Sequence, residues 1–277
     1  MSKYNELNGL KVRYLSADPP SPENGQVWYN STAEKVRVSG VLGTGAWASG
    51  GVVGTARNTC AAGTQTANVI MGGQLSNSPS QPTSNVEEYN GSSWSEVNNM
   101  PYSASNLGGT GTQTAGLVFG GYLNVTTTAE YDGSSWTGGG AMGTGREVMT
   151  GGLGLQNAAF AVGGYRRPST ATTAVEQYDG SSWATVNTRP YGAGSAMGSG
   201  TQTAALNYGG NPSGQVATTV KYDGTNWSTE ANMANVRSMG GGSPAGTTGA
   251  ALATTGTPST ATEEFTQPEG IGDIASS

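Results

Sequence analysis

The sequence predicts an all-β protein built from repeated units of short antiparallel strands. Three observations support this class: one turn segment recurs four times, a glycine pair follows a short apolar run at a nearly constant interval, and glycine is unusually frequent. The 46 glycines and 12 prolines make up 58 of the 277 residues. This share of about 21% is below the roughly 25–30% typical of disordered chains, so turn-rich β-structure is the better interpretation.

The glycine pairs define the repeat. They end at Gly73, Gly121, Gly164 and Gly210, with a degenerate copy "ALATTG" ending at Gly256, so successive spacings are 48, 43, 46 and 46 residues. An aromatic residue follows each glycine pair: Tyr89, Tyr131, Tyr178, Tyr222 and Phe265. Five residues after each of the four tyrosines comes a tryptophan: Trp94, Trp136, Trp183 and Trp227. Five units of about 46 residues are each too small to bury their own apolar face, so they must stack on one another.

Each unit contains four candidate strands. A Gly- and Ala-rich segment comes first, the apolar run before the glycine pair is second, and the segments that carry the tyrosine and the tryptophan are third and fourth. Between the last two lies a turn such as "YDGSSW", in which Asp-Gly or Asn-Gly tolerates positive φ. We therefore interpret Asp132, Asp179 and Asp223 as turn residues rather than as catalysts or metal ligands.

Four short antiparallel strands in each of five units predict a five-bladed β-propeller over residues 41–266. Small residues suit a crowded inner strand, and large aromatic residues suit the wider gap between blades. The fifth unit lacks its tryptophan strand, but Trp47 lies 47 residues before Trp94 and is in phase with the repeat. We expect this N-terminal segment to close the ring as a Velcro strand, whereas a linear solenoid would need capping repeats at both ends.

The two ends of the chain lie outside the repeat. Residues 1–40 contain a Pro-rich stretch followed by "GQVWYN" and "KVRV", two strand-like segments joined by a polar turn, which predict a small hairpin or arm. Residues 267–277 are expected to form a short tail. The beginning of the chain lacks an apolar signal-peptide core, and no run of about 18 apolar residues occurs, so neither export by a Sec signal nor membrane insertion is expected.

Composition argues against most catalytic chemistry. The absence of histidine removes His-based acid–base catalysis, Ser-His-Asp and Cys-His nucleophiles and His-ligated metals, and the single cysteine, Cys60, excludes a Cys-cluster metal site. A glycosidase needs only two carboxylates, but the acidic residues lie mostly at repeated positions, such as Glu88, Glu130 and Glu176 near the tyrosines. We expect no enzyme activity, cofactor or metal. A net charge of −6 without a basic run also disfavours nucleic acid as a partner.

Two parts of the sequence resemble known proteins. The apolar run ending in Gly-Gly, the later tyrosine and the following tryptophan resemble the kelch-type β-propeller repeat over about residues 45–266. The stretch "PPSPENGQVWYNSTAEKVRV" is similar to a short module of structural proteins of tailed phages, especially marine ones. Together these resemblances imply a tail-fibre, decoration or adhesion protein of the virion, assembled in the host cytoplasm in multiple copies. The N-terminal arm would then contact other virion proteins, and the propeller would be presented to a host surface, such as a surface glycan, or to neighbouring virion proteins.

The loops after the glycine pairs are the candidate binding elements. They differ in length and content between units, whereas the "YDGSSW" turn hardly changes, and variable loops on one rim of a rigid scaffold are where binding is usually built. Their aromatic, guanidinium and amide groups suit sugars or acidic glycans. The candidate ligand-binding residues are Tyr122, Asn124, Tyr165, Arg166, Arg167 and Asn211. A free lectin-like module is the alternative function, and a polysaccharide hydrolase is a third hypothesis.

Overall fold

The computed structural model shows a chain that divides into two compact units, Met1–Ser49 and Gly50–Ser277. The residues that it describes are 13–19, 27–38, 49–75, 81–147, 152–168, 170–239, 242, 247–254, 256–258 and 261–266. Within these residues the secondary structure consists of strands and turns, with no helix. The predicted all-β class is confirmed.

The N-terminal unit contains a three-stranded sheet of β1 (Arg13–Leu15), β2 (Val27–Asn30) and β3 (Lys35–Val38), in the order β1-β2-β3. Strands β2 and β3 pair antiparallel across a turn at residues 31–34, as "GQVWYN" and "KVRV" predict. Strand β1, which the sequence analysis did not identify, pairs parallel with β2. The Asp18 carboxylate accepts hydrogen bonds from Trp28 Nε1 and Asn30 Nδ2, which fixes the loop after β1 against the sheet.

The second unit contains four-stranded antiparallel sheets. In each of them the strands lie side by side in the order in which they occur along the chain. Sheet 1 contains β4 (Arg57–Gly63), β5 (Asn68–Leu75), β6 (Pro82–Tyr89) and β7 (Trp94–Val97). Sheet 2 contains β8 (Gly108–Thr112), β9 (Ala115–Phe119), β10 (Thr128–Tyr131) and β11 (Trp136–Gly138). Sheet 3 contains β12 (Leu153–Leu155), β13 (Ala158–Val162), β16 (Val175–Tyr178) and β17 (Trp183–Thr185). Sheet 4 contains β18 (Met197–Thr201), β19 (Ala204–Tyr208), β20 (Thr219–Tyr222) and β21 (Trp227–Glu230).

Two smaller antiparallel pairs complete the strands that the structure describes. Within the loop between β13 and β16, β14 (Tyr165–Arg166) pairs with β15 (Thr170–Ala171) to form a short ribbon. Sheet 5 contains β22 (Ala250–Thr254) and β23 (Thr262–Thr266). These strands correspond to the second and third strands of the other sheets, because they carry the degenerate apolar run and Phe265.

The hydrophobic core lies in layers between successive sheets, as the repeat length predicts. Each layer combines apolar residues of one sheet with those of the next, so that Tyr131 packs with sheet 1, Tyr178 with sheet 2 and Tyr222 with sheet 3. These three tyrosines are almost fully buried. The first strands of neighbouring sheets also contact one another, β4 with β8, β8 with β12 and β12 with β18. Their small residues permit this approach, since a Cβ at Gly109 would lie 2.7 Å from Cys60 Sγ.

Side-chain hydrogen bonds of a repeated glutamine also join neighbouring sheets. Gln113, Gln156 and Gln202 lie in the turns between the first and second strands of sheets 2, 3 and 4. Each donates through Nε2 to two backbone carbonyls of the preceding sheet, one of which belongs to the repeated tyrosine. The glutamine at this repeat position therefore joins sheets 2, 3 and 4 to the sheets that precede them.

The structure also confirms the interpretation of the aspartates as turn residues. Asp132 Oδ1 accepts hydrogen bonds from the backbone N–H groups of Ser134 and Ser135, and Gly133 has a φ of 92°. Tyr131 and Trp136 pair across this hairpin. These hydrogen bonds hold the pKa of the Asp132 carboxyl below its ordinary value, and the bonds from Ser182 and Ser181 lower the pKa of Asp179 to about 2.

Two predicted features lie outside the described residues. Trp47 and most of the proposed Velcro strand, residues 41–48, belong to this group, as does the predicted C-terminal tail, residues 267–277.

Candidate functional site

The glycine pairs bring two sets of loops to the same end of the sheets. One set links the second and third strands of a sheet, and the other, here called the junctions, links the fourth strand of a sheet to the first strand of the next. Gly164 has a φ of 113°, and a Cβ at this position would overlap Glu147 O in the junction before sheet 3. We call this end of the second unit the Gly-pair face; the Asp turns lie at the opposite end of the third strands.

Arg167 lies at the centre of a hydrogen-bonded cluster on the Gly-pair face. Its guanidinium donates through Nε to Glu147 Oε1 at 2.8 Å, and its Cζ atom lies 4.1 Å from the centroid of the Tyr122 ring. Its backbone N–H donates to Asn124 Oδ1 at 2.8 Å. Arg167 in sheet 3 therefore links the loop of sheet 2 to the junction between the two sheets.

Glu147 is the buried acid of this cluster. Its side chain is only 7% exposed, and its second oxygen accepts a hydrogen bond from Asn106 Nδ2 at 3.0 Å. Glu147 and Tyr165 also exchange two backbone hydrogen bonds. In the other junctions the corresponding residues are Ser105, Gly194 and Ser238, so this carboxylate is a feature of one junction and not of the repeat.

Tyr165 connects sheet 3 to sheet 4. Its hydroxyl donates to Asn211 O at 2.8 Å, and its ring covers Gly194 so closely that a Cβ there would overlap the ring. Burial raises the pKa of Tyr165; a hydrogen bond with Ser195 acts in the opposite direction, and the charge of Glu147 reinforces the increase. Tyr165 thus holds neighbouring loops together, and Asn211 contributes its backbone carbonyl to this contact.

Arg166 differs from the other predicted binding residues. It is exposed, and its guanidinium forms no hydrogen bond or ion pair with any residue that the structure describes. Its cross-strand neighbour in the ribbon is Thr170, which is also exposed. Because side chains alternate along a strand, Arg166 and Thr170 point away from the face on which Tyr165 packs, and they project into solvent.

The sequence analysis identified five of the residues that meet here, namely Tyr122, Asn124, Tyr165, Arg167 and Asn211, and it also identified the exposed Arg166. It did not identify Glu147 or Asn106. Glu147 was detectable in principle, because it is the acidic residue at a junction position that is Ser or Gly in three other units. Asn106 was not detectable from the sequence, because its distinguishing property, a φ of 55°, is visible only in the structure.

The described residues contain no group of three or more His, Cys, Asp or Glu side chains that could hold a metal ion. Cys60 is half-buried among core residues, and burial raises the pKa of its thiol to about 12. A thiol with this pKa is protonated at neutral pH and is a poor nucleophile. The Gly-pair face thus offers fixed donors, a carboxylate and aromatic rings, which are the elements of a binding surface.

Comparison of the chain with protein-family models and with curated proteins found no match. Within the described residues, no helix is long and apolar enough to cross a membrane.

Proposed function

We propose that this protein is a structural component of a phage particle, in which the N-terminal unit contacts other virion proteins and the second unit presents its Gly-pair face outward. The observation that carries the proposal is the interlocking of loops from sheets 2, 3 and 4 through Arg167, Glu147 and Tyr165. Loops fixed in this way form a preorganised surface, which lowers the entropic cost of binding. The similarity of residues 19–38 to phage structural proteins supplies the assignment to a virion.

We further propose that the second unit is a five-bladed, kelch-like β-propeller closed by the segment that contains Trp47. Gly50–Arg57 contacts sheet 1 in the same way that Gly139–Arg146 contacts sheet 3. Gly54 N–H donates to Glu87 as Gly143 N–H donates to Glu176, and the arginine at the end of each segment pairs with the same carboxylate. Segment Gly50–Arg57 is therefore equivalent to a junction. Because a junction follows the fourth strand of a sheet, we expect the segment before Gly50 to be such a fourth strand.

A cleft beside sheet 5 supports the same proposal. In three inter-sheet layers a tryptophan of the fourth strand donates through Nε1 to the preceding sheet: Trp136 to Asn98 O, Trp183 to Thr128 Oγ1 and Trp227 to Asn187 O. Between sheets 4 and 5 lies a cleft of about 230 Å³, lined by residues that include Thr219, Ala231 and Phe265. Thr219 and Ala231 occupy the repeat positions of Thr128 and Asn98. Trp47 precedes Arg57 by ten residues, as Trp136 precedes Arg146, so the sequence puts it at the repeat position of these tryptophans.

Fractionation of intact particles tests the function. The full-length protein should sediment with virions, and deletion of residues 1–30 should abolish incorporation while the second unit retains its melting temperature. Normal incorporation of the truncated protein would contradict the role of the N-terminal unit. If the protein is never found in particles but binds glycans as a purified chain, the lectin-like alternative replaces this proposal.

A further inference from the structure

The positive charge of the second unit is distributed very unevenly. Residues 50–277 contain fourteen acidic and seven basic side chains, a net charge of −7. Four of the seven basic side chains are buried: Arg57, Arg146, Arg189 and Arg237. Lys221 is half-buried, so the exposed positive charge of this unit is concentrated at Arg166 and Arg167 on the Gly-pair face.

The two exposed arginines have different surroundings. Arg167 is already held by Glu147 and by the ring of Tyr122, and its side chain is 41% exposed. Arg166 has no such partner among the described residues, and the hydroxyl of Thr170 adjoins it in the ribbon. The Asp132, Asp179 and Asp223 turns are at the opposite end of the strands, so they do not compete for this guanidinium.

We propose that the Gly-pair face binds the anionic groups of an acidic polysaccharide, with Arg166 as the residue that contacts the anion and Arg167 as the residue that positions the ribbon. This inference rests on the proposed function, since it specifies the ligand of the same face. A guanidinium presents parallel N–H donors that match a carboxylate or sulfate, and the adjoining hydroxyl of Thr170 suits sugar hydroxyl groups.

Nucleic acid fits the same site less well. Its phosphates are closely spaced, and binding depends on neutralising several of them, whereas this face offers Arg166 and an Arg167 that is already paired with Glu147, within a strongly acidic unit. A polysaccharide with more widely spaced charges meets less repulsion from the remaining surface.

Binding of the purified full-length chain to polygalacturonate, dextran sulfate and neutral dextran at low salt tests the proposal. The first probe presents carboxylates, the second sulfates and the third no charge. We expect retention on one or both anionic probes and none on dextran. Arg166→Gln should weaken retention about fivefold, the effect expected for the loss of one exposed ion pair, without a change in melting temperature.

Lys221→Gln is the matched control, because it changes the net charge equally at a site away from the Gly-pair face, and it should leave retention unchanged. Arg167→Gln should lower the melting temperature as well as retention, which separates positioning from contact. Three results would overturn the proposal: equal retention on dextran, equal effects of Arg166→Gln and Lys221→Gln, or tighter binding to double-stranded DNA than to both anionic probes. None of these three binding results concerns incorporation into particles. They would therefore overturn the polysaccharide proposal without overturning the proposed function.

Discussion

Arg146 and Glu176 form a buried ion pair in which the carboxylate also holds the junction that carries the arginine. Arg146 donates through Nη1 to Glu176 Oε2, while Glu176 Oε1 accepts the backbone N–H groups of Gly143 and Thr144. Both side chains are almost completely buried. Arg57 with Glu87 and Arg237 with Glu263 repeat this arrangement at sheets 1 and 5.

Sheets 2 and 4 use tyrosine in place of this ion pair. Tyr102 and Tyr191 direct their hydroxyls to the carbonyls of Thr127 and Thr218, four residues before the repeated tyrosine. Arg57 and Arg237 reach the equivalent carbonyls, those of Asn85 and Ala261. Where the junction directs a neutral hydroxyl to this carbonyl, the position of the glutamate is taken by Ala129 or Val220.

The first prediction concerns this ion pair. Glu176→Ala should lower the free energy of unfolding by about 3–5 kcal/mol, because it leaves the buried Arg146 guanidinium without its counter-charge. The double variant Arg146→Met with Glu176→Ala should lose less than the sum of the two single variants. Urea unfolding measures each value, and Glu96→Ala, at an exposed carboxylate, is the control. Additive losses would show that the two side chains are not coupled.

The second prediction concerns acid stability. Burial alone would raise the pKa of Glu87, but its hydrogen bond with Arg57 and that with Gly54 N–H outweigh burial, so the pKa lies below its ordinary value. Burial also opposes the hydrogen bonds from Asn235 and Ala234 at Glu263, and the pKa is again lowered. A lowered folded-state pKa contributes stability above the unfolded-state pKa of about 4.3, and this contribution is lost as the pH falls through the folded-state value.

Melting temperatures should therefore be constant above about pH 5.5 and decrease below about pH 4.5. Glu87→Gln should melt lower at neutral pH and show a shallower decrease in acid, because one titrating group is removed. Glu96→Gln should retain the wild-type slope. An acid slope that is the same in Glu87→Gln and in the wild type would contradict the assignment.

The third prediction concerns Arg189, a buried arginine without a carboxylate partner. The backbone N–H of Arg189 donates to Thr173 O. In three other repeats the N–H group that donates to the carbonyl at the same repeat position belongs to a methionine: Met100, Met142 or Met233. Arg189 therefore occupies a position that is methionine in those repeats. Its Nε and Nη2 atoms have no hydrogen-bond partner within the described residues. The Arg189 guanidinium lies 4.3 Å from the centroid of the Tyr191 ring, and its Nη1 donates to Ala193 O. Arg189→Met should still raise the free energy of unfolding by about 1–3 kcal/mol, since it removes a buried charge that no carboxylate balances.

Guanidinium chloride unfolding measures this gain, and the reciprocal variant Met100→Arg should be destabilised. If Arg189→Met is less stable than the wild type, the contacts of the guanidinium with the Tyr191 ring and with Ala193 O outweigh the cost of burying its charge.

The fourth prediction concerns closure of the proposed ring. Trp47→Ala should lower the free energy of unfolding by an amount similar to Trp136→Ala, about 3–5 kcal/mol if each indole fills an inter-sheet layer. Deletion of residues 1–50 should produce an aggregation-prone protein, because the edge of sheet 5 is then exposed. Thermal unfolding and light scattering measure these effects. A protein without residues 1–50 that melts like the full chain would show that no N-terminal strand completes sheet 5.

The sequence by itself determined the all-β class, the four strands of each of sheets 1 to 4 and the Asp turns. These features depend on local chemistry that recurs in phase: glycine permits positive φ at Gly133 and Gly164, and apolar runs of fixed length form the second strands. Averaging over five copies makes each signal stronger than a single segment could. The candidate loops were found by the opposite property, their variation between copies.

Only the tertiary structure decided the roles of individual side chains in those loops and junctions. Two adjacent arginines in the sequence do not reveal that Arg167 is held by Glu147 and Tyr122 whereas Arg166 projects into solvent. The difference arises because Arg166 lies in strand β14 and Arg167 lies in the turn that follows it. The pairing of Arg146 with Glu176 joins residues 30 positions apart across a sheet. Such contacts are set by the packing of neighbouring sheets, and local propensity carries no information about them.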